Sequence, residues 1–182
     1  MIPKRVYVRQ LVVGIFLLFI ILGAVLYVYN PYERARQKRD NQRIADLESL
    51  KKSIDIYLAN NGNESAGMCD GCKLDNGVFA SQPITLKGTI SAQVINSSAV
   101  NITGWIPIDF SLNAKINETP LSQLPQDPVN IDPYVYTYTP GKNGMYKLTA
   151  ALESAQNDTL EADDGGTDST RYEIGSGLSL VP

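Results

Sequence analysis

The chain has 182 residues, 16 of them lysine or arginine and 19 aspartate or glutamate, for a net charge of -3. That length leaves room for one soluble domain of ordinary size beside an apolar segment, and the charge total offers no basic surface for nucleic acid. Histidine is absent, which removes the usual acid/base group at neutral pH and the commonest metal ligand.

A short basic leader, residues 1–10, precedes an uncharged run from Leu11 to Tyr29. The run is long enough to cross a hydrocarbon core of roughly 30 Å, so residues 11–30 read as a transmembrane helix. Gly23-Ala24 continues into Val25-Leu26-Tyr27 instead of a small-x-small cleavage site, which favours an uncleaved anchor. Tyr27, Tyr29 and Tyr32 fit an interfacial aromatic belt. Lys4, Arg5 and Arg9 precede the run while Arg34, Arg36, Lys38, Arg39 and Arg43 follow it. Counted charge alone therefore does not send the following segment outward.

Residues 31–61 read as an amphipathic helical stalk. Ile44, Leu47, Leu50, Ile54 and Leu58 recur every three or four residues, on one face of a helix that Asn60-Asn61-Gly62 should end. Arg43, Asp46, Lys51 and Asp55 fall on the rest of the circumference. Pro31 is tolerable near a helix start and would kink a continuous rod.

Residues 62–182 read as a globular head. Its first loop, NGNESAGMCDGCKLDNG, contains Cys69 and Cys72, and with no other cysteine and no histidine one chain cannot supply the four ligands of a structural zinc site. A small disulfide and free thiols both remain open at this point. In ITLKGTISAQV the apolar residues Ile84, Leu86, Ile90, Ala92 and Val94 share one parity, the pattern of a half-buried strand or hairpin with Gly88 as a bulge. Trp105, in GWIPIDF, is expected as a core anchor. Tyr134, Tyr136 and Tyr138 share one strand face, and Tyr146, Leu148 and Leu152 share another, with the turn PGKNG between them. The fold class expected is α+β, one long helix packed by its second half on an antiparallel sheet.

The carboxylates Asp158, Glu161, Asp163, Asp164 and Asp168 do not follow a calcium-loop spacing; they read as a solvated acidic loop or as oxygen ligands around two turn-forming glycines. Five Asn-x-Ser/Thr sequons occur, at Asn63, Asn96, Asn101, Asn117 and Asn157. No nucleophile-base pair or phosphate loop stands out, so no enzymatic activity is expected.

Two blocks, RARQKRDNQRIADLESLKKSIDIYLANNG and GWIPIDFSLNAKINETPLSQLPQDPVNIDPYVYTYTPGKNGMYKLTAALES, with the closing DDGGTDSTRYEIGSGLSL, resemble the type IV pilin and type II secretion pseudopilin superfamily. The first is similar to the second half of that family's long helix, the second to its Leu-Pro-x-Asp-Pro motif and Tyr-rich hairpin. The resemblance implies a pilin-like fold and a structural subunit that self-associates into a filament, served by pilus or secretion assembly machinery. The N-terminus would be cytoplasmic, with a single membrane pass and the head outside the cytoplasm. That location favours a Cys69–Cys72 disulfide, and the family's calcium loop would make Asp163, Asp164 and Asp168 ligands of Ca2+. Assembly would use Gln10, Leu11, Ile15, Leu18 and Leu22 in helix bundling, with Arg39, Asp40 and Arg43 setting register through interhelical pairs. Processing would fall between Arg5 and Val6. Here the family's glycine is replaced by Arg5 and its membrane glutamate by Gln10. Those departures support the alternative, a non-polymerising membrane-anchored binding or adhesion module.

Overall fold

The structure, a computed structural model, describes residues 4–61, 77–87, 92–112 and 121–180. It divides into two compact units, one ending at Arg36 and one running from Gln37 onward.

The first unit holds helix α1 (Lys4–Tyr29) and the start of helix α2 (Pro31–Asn61). Asn30 alone is non-helical between them. Its side-chain oxygen accepts the Glu33 amide at 3.3 Å and its carbonyl accepts the Arg34 amide at 3.2 Å, so it caps α2. Pro31 takes the first helical position, where no amide donor is needed. Within α1, Tyr7–Val25 has a mean hydropathy of 2.5 and is entirely exposed, as a membrane-crossing helix would be.

The second unit is an α+β head in which five strands form one sheet among the described residues. These are β1 (Phe79–Ala80), β2 (Gln93–Val94), β3 (Thr137–Pro140), β4 (Tyr146–Ala150) and β5 (Tyr172–Gly175), in the order β2-β1-β3-β4-β5. The sheet is mixed, since β1 and β2 run parallel while the other neighbours are antiparallel. A short helix α3 (Asp158–Ala162) precedes the loop into β5.

The periodic residues of α2 do enter the core. Leu47, Leu50 and Ile54 are buried, joined by Tyr57, while Ile44 and Leu58 are half-buried. Tyr138 stands opposite Leu148 and Pro140 opposite Tyr146, so both tyrosine-bearing rows point the same way across the hairpin. Together with Phe79, Tyr136 and Trp105 they form the layer against which α2 lies. Trp105 is fully buried and donates its indole N–H to the Pro125 carbonyl at 2.9 Å, as a core anchor with a satisfied polar tip should. The PGKNG turn is a single 3-10 turn, Lys142–Gly144, in which Asn143 (φ 57°) and Gly144 (φ 74°) adopt left-handed backbone.

The other side of the hairpin is buried yet polar, carrying Thr137, Thr139, Lys147, Thr149 and Glu173. The loop after α3 covers it, with Lys147 donating to the Thr167 hydroxyl at 2.9 Å and Glu173 accepting the amides of Thr167 and Asp168.

The strand expected over Ile84–Val94 is corrected at its start and present at its end, Gln93–Val94. Residues 83–86 form no ladder, and among the described residues of this stretch only Gln93 and Val94, both exposed, are paired. Pro83 has no amide to give, and Thr85 spends its amide and hydroxyl on the Asp132 carboxylate at 3.3 and 2.8 Å. Gly88 and Ile90 lie outside the described residues, as does the loop with Cys69 and Cys72.

Candidate functional site

Two features of the chain call for an explanation beyond ordinary folding: the exposed apolar helix and a buried cluster of charge where α2 enters the head.

On α1, Leu11, Ile15, Leu18 and Leu22 follow 4-3-4 spacing and so share one face; they are 47% to 64% exposed. Gln10 is exposed beside them. Arg5 and Val6 fall within the helical span of α1, and their side chains lie outside the described set.

The charge cluster begins from helix spacing. Asp40, Arg43, Leu47, Leu50, Ile54 and Tyr57 are the buried residues of α2, at intervals of three and four, so the row facing the head opens with two charges and continues with apolar side chains. Arg43 is fully buried and surrounded by carboxylates. Its Nε and Nη2 hold Asp127 in a fork at 2.7 and 3.0 Å, while Nη1 reaches Asp40 at 2.8 Å and Glu153 at 2.7 Å. The guanidinium also lies 4.9 Å from the centre of the Tyr134 ring. Asp40 in turn accepts the amides of Glu153 and Ser154, at 2.9 Å each, and the Asn157 side chain at 2.8 Å. Asp127 accepts the amides of Val129 and Asn130. Arg39 closes the group with two bonds to Glu153.

Sequence reasoning assigns Arg39, Asp40 and Arg43 to register-setting pairs between subunits, on the premise that nothing later in the chain covers the helix this far back. That premise is corrected: Asp40 and Arg43 are wholly buried within their own head, against Asp127 and the strand-to-α3 segment at Glu153–Asn157. The available signal was the 3-4 spacing itself, which continues backwards from Leu47 through Arg43 and Asp40.

Burial works against the charge on Arg43, but the hydrogen bond and charge of Asp127, aided by Glu153 and Asp40, outweigh it and raise its pKa. The hydrogen bond from Arg39, against opposing burial and with help from Arg43, holds the Glu153 carboxyl down at about 2, from an ordinary 4.5. A folded-state pKa below the unfolded value stabilises above the unfolded value, and the gain vanishes as pH falls through the folded one. Glu153 should thus contribute on the order of 2 kcal/mol above about pH 4.5, lost progressively towards pH 2. Burial raises the pKa of Asp46, Glu161 and Asp164, which offsets part of this loss. Comparing urea unfolding of the natural chain and Glu153→Gln across that range isolates the contribution; the variant should show the shallower acid limb, and parallel limbs would exclude Glu153 as its source.

No family model, curated protein or solved structure matches this chain. The site must therefore be read from its own geometry.

The three carboxylates expected as calcium ligands are not brought together. Asp163 is exposed, Asp164 accepts the amides of Gly166 and Glu173 at 2.7 and 2.6 Å, and Asp168 accepts Lys87 and the amide and hydroxyl of Thr170. Among the described residues no group of three or more potential metal-ligating side chains converges. As arranged, these residues close their own loop. Sequence reasoning missed Arg171, which ties this loop to the sheet, because an isolated arginine in an acidic loop reads as solvated.

Proposed function

We infer that the chain is a membrane-anchored structural subunit that assembles through its N-terminal helices into a filament of the type IV pilus or pseudopilus kind. The observation that carries this reading is Tyr7–Val25: a helix apolar enough to span a bilayer, wholly exposed in the single chain, and joined to a head whose described core is built from residues of the head itself. Lipid can cover that surface while subunits are stored, and like helices can cover it once a filament forms. The sequence resemblance supports the same assignment, with the N-terminus cytoplasmic and the head outside. A structural part rests on the helix and needs no catalytic group.

One observation favours a second reading. Gln10 stands where the family carries a charged glutamate, and Arg5 where it carries the glycine at the cleavage site. A subunit lacking that carboxylate loses the charge pairing by which neighbours dock in lipid, which suits a membrane-anchored binding module that stays single. Negative-stain microscopy of material sheared from cells, with mass spectrometry of the fibres, separates the two. Thin filaments containing this chain are expected; finding it only as an unassociated membrane protein after cross-linking would overturn the filament assignment.

A further inference from the structure

Within the head, a cavity of about 300 Å3 opens between the segment Thr85–Lys87, Tyr134, Leu152 and the loop residues Asp168, Thr170 and Arg171. Its volume is at the small end of ligand sites, suited to a molecule of monosaccharide size.

Among the described residues, the wall contains a cation without a counter-ion. Arg171 is 6% exposed, and its hydrogen bonds all go to neutral oxygens: Nε to the Thr149 hydroxyl at 2.7 Å, Nη1 to the Pro133 carbonyl at 3.0 Å, and Nη2 to the carbonyls of Val135 at 2.6 Å and Thr149 at 3.5 Å. A guanidinium has five N–H groups, so among the described residues one on Nη1 is left over. Arg43, fully buried, shows what compensation looks like in this protein, with three carboxylates in contact. Among the described residues Arg171 forms no ion pair. An uncompensated buried charge is costly. Burial accordingly pushes Arg171 down to about 10, against the more distant pull of Asp168, Glu161, Asp127 and Glu173.

At the rim stands a second cation, Lys87, 65% exposed at its side chain and held by Asp168 at 2.5 Å. Among the described residues the wall therefore carries two positive groups against one carboxylate. The hydroxyls of Thr85 and Thr170 donate to Asp132 and Asp168 and keep lone pairs free to accept. Leu86 and Leu152 supply apolar surface. One anionic group, several hydroxyls and a small apolar face describe the matching ligand.

We propose that this cavity binds a hydroxylated monocarboxylate of sugar size, a uronic acid, whose carboxylate pairs with Arg171 and with Lys87 once Lys87 leaves Asp168. The site lies within the head and stands or falls independently of whether the chain polymerises.

The test is calorimetric titration of the full chain in detergent with sodium glucuronate, glucose and sodium sulfate at constant ionic strength. Saturable binding of glucuronate at millimolar concentration or below is expected, with glucose and sulfate at least tenfold weaker. Lys87→Gln should weaken glucuronate at least fivefold. Asp168→Asn should tighten it at least threefold, because it frees Lys87 and removes the competing negative charge while keeping an oxygen for Thr170. The direction of that last change distinguishes a ligand site from a purely structural arginine, and the two variants spare Arg171, whose loss would disturb the sheet itself. A short oligouronate that binds more tightly than the monomer would assign a polysaccharide source, and equal affinity a free sugar. Glucose or sulfate binding as well as glucuronate, no saturable binding, or weakening by Asp168→Asn would overturn the proposal.

Discussion

Arg43→Met is expected to destabilise the head by about 3–5 kcal/mol, the cost of removing one partner from a buried ionic group. Methionine fills most of the volume and keeps the helix, so the loss reports charge and not a cavity. Asp127, which is 4% exposed, would lose both arms of its fork and keep the amides of Val129 and Asn130. Asp40 would keep its three donors from Glu153, Ser154 and Asn157, while Glu153 would keep Arg39 alone. The protein would then hold three carboxylates around one partly exposed guanidinium, and they would repel one another. Urea unfolding of the full chain in detergent measures the loss. Adding Asp127→Asn to Arg43→Met should recover part of it, since the amide keeps an oxygen for the two backbone donors. A loss below about 1 kcal/mol, typical of exposed pairs, would mean that water screens the cluster.

Glu173→Ala is expected to cost a similar amount, about 3–5 kcal/mol, through a different failure. Lys147 and Glu173 are both fully buried at the side chain and 2.7 Å apart. Truncation leaves the ammonium with the Thr167 hydroxyl alone and strips the amides of Thr167 and Asp168 of their acceptor. The acidic loop would be released from the sheet, so limited proteolysis should nick the variant between residues 163 and 170 where the natural chain resists. Lys147→Met in the same background removes the stranded charge and should restore stability without restoring protease resistance. Recovery of both together would show that the loop is held by other bonds.

Much of the fold was legible because it follows from spacing. Leu47, Leu50 and Ile54 announced the buried face of α2, and Tyr136, Tyr138, Tyr146 and Leu148 announced a hairpin whose turn residues take left-handed backbone. The exposed α1 was legible from composition. What spacing could not reveal is burial of charge. Asp40 and Arg43 continue the apolar row, but Asp127 lies 84 residues beyond Arg43 and Glu153 lies 113 beyond Asp40, and only the folded chain brings them within reach. The alternation at Ile84–Val94 misled for a related reason, since Asp132 satisfies Thr85 where a neighbouring strand would otherwise have done so. Arg171 and Lys87, the cations of the cavity, come from segments 84 positions apart and carry no local pattern.

The order of the buried row on α2, charged at Asp40 and Arg43 and greasy from Leu47 onward, has a mechanical consequence. A pull transmitted along the chain from its N-terminal side meets the ionic end of the row first. Sliding the helix by one turn would draw Arg43 out of its ring of acids and bring Leu47 in among them, so tension must break several short, directional bonds in the same step that displaces the oily contacts. A head fastened in this way resists traction as a latch does, failing abruptly and late.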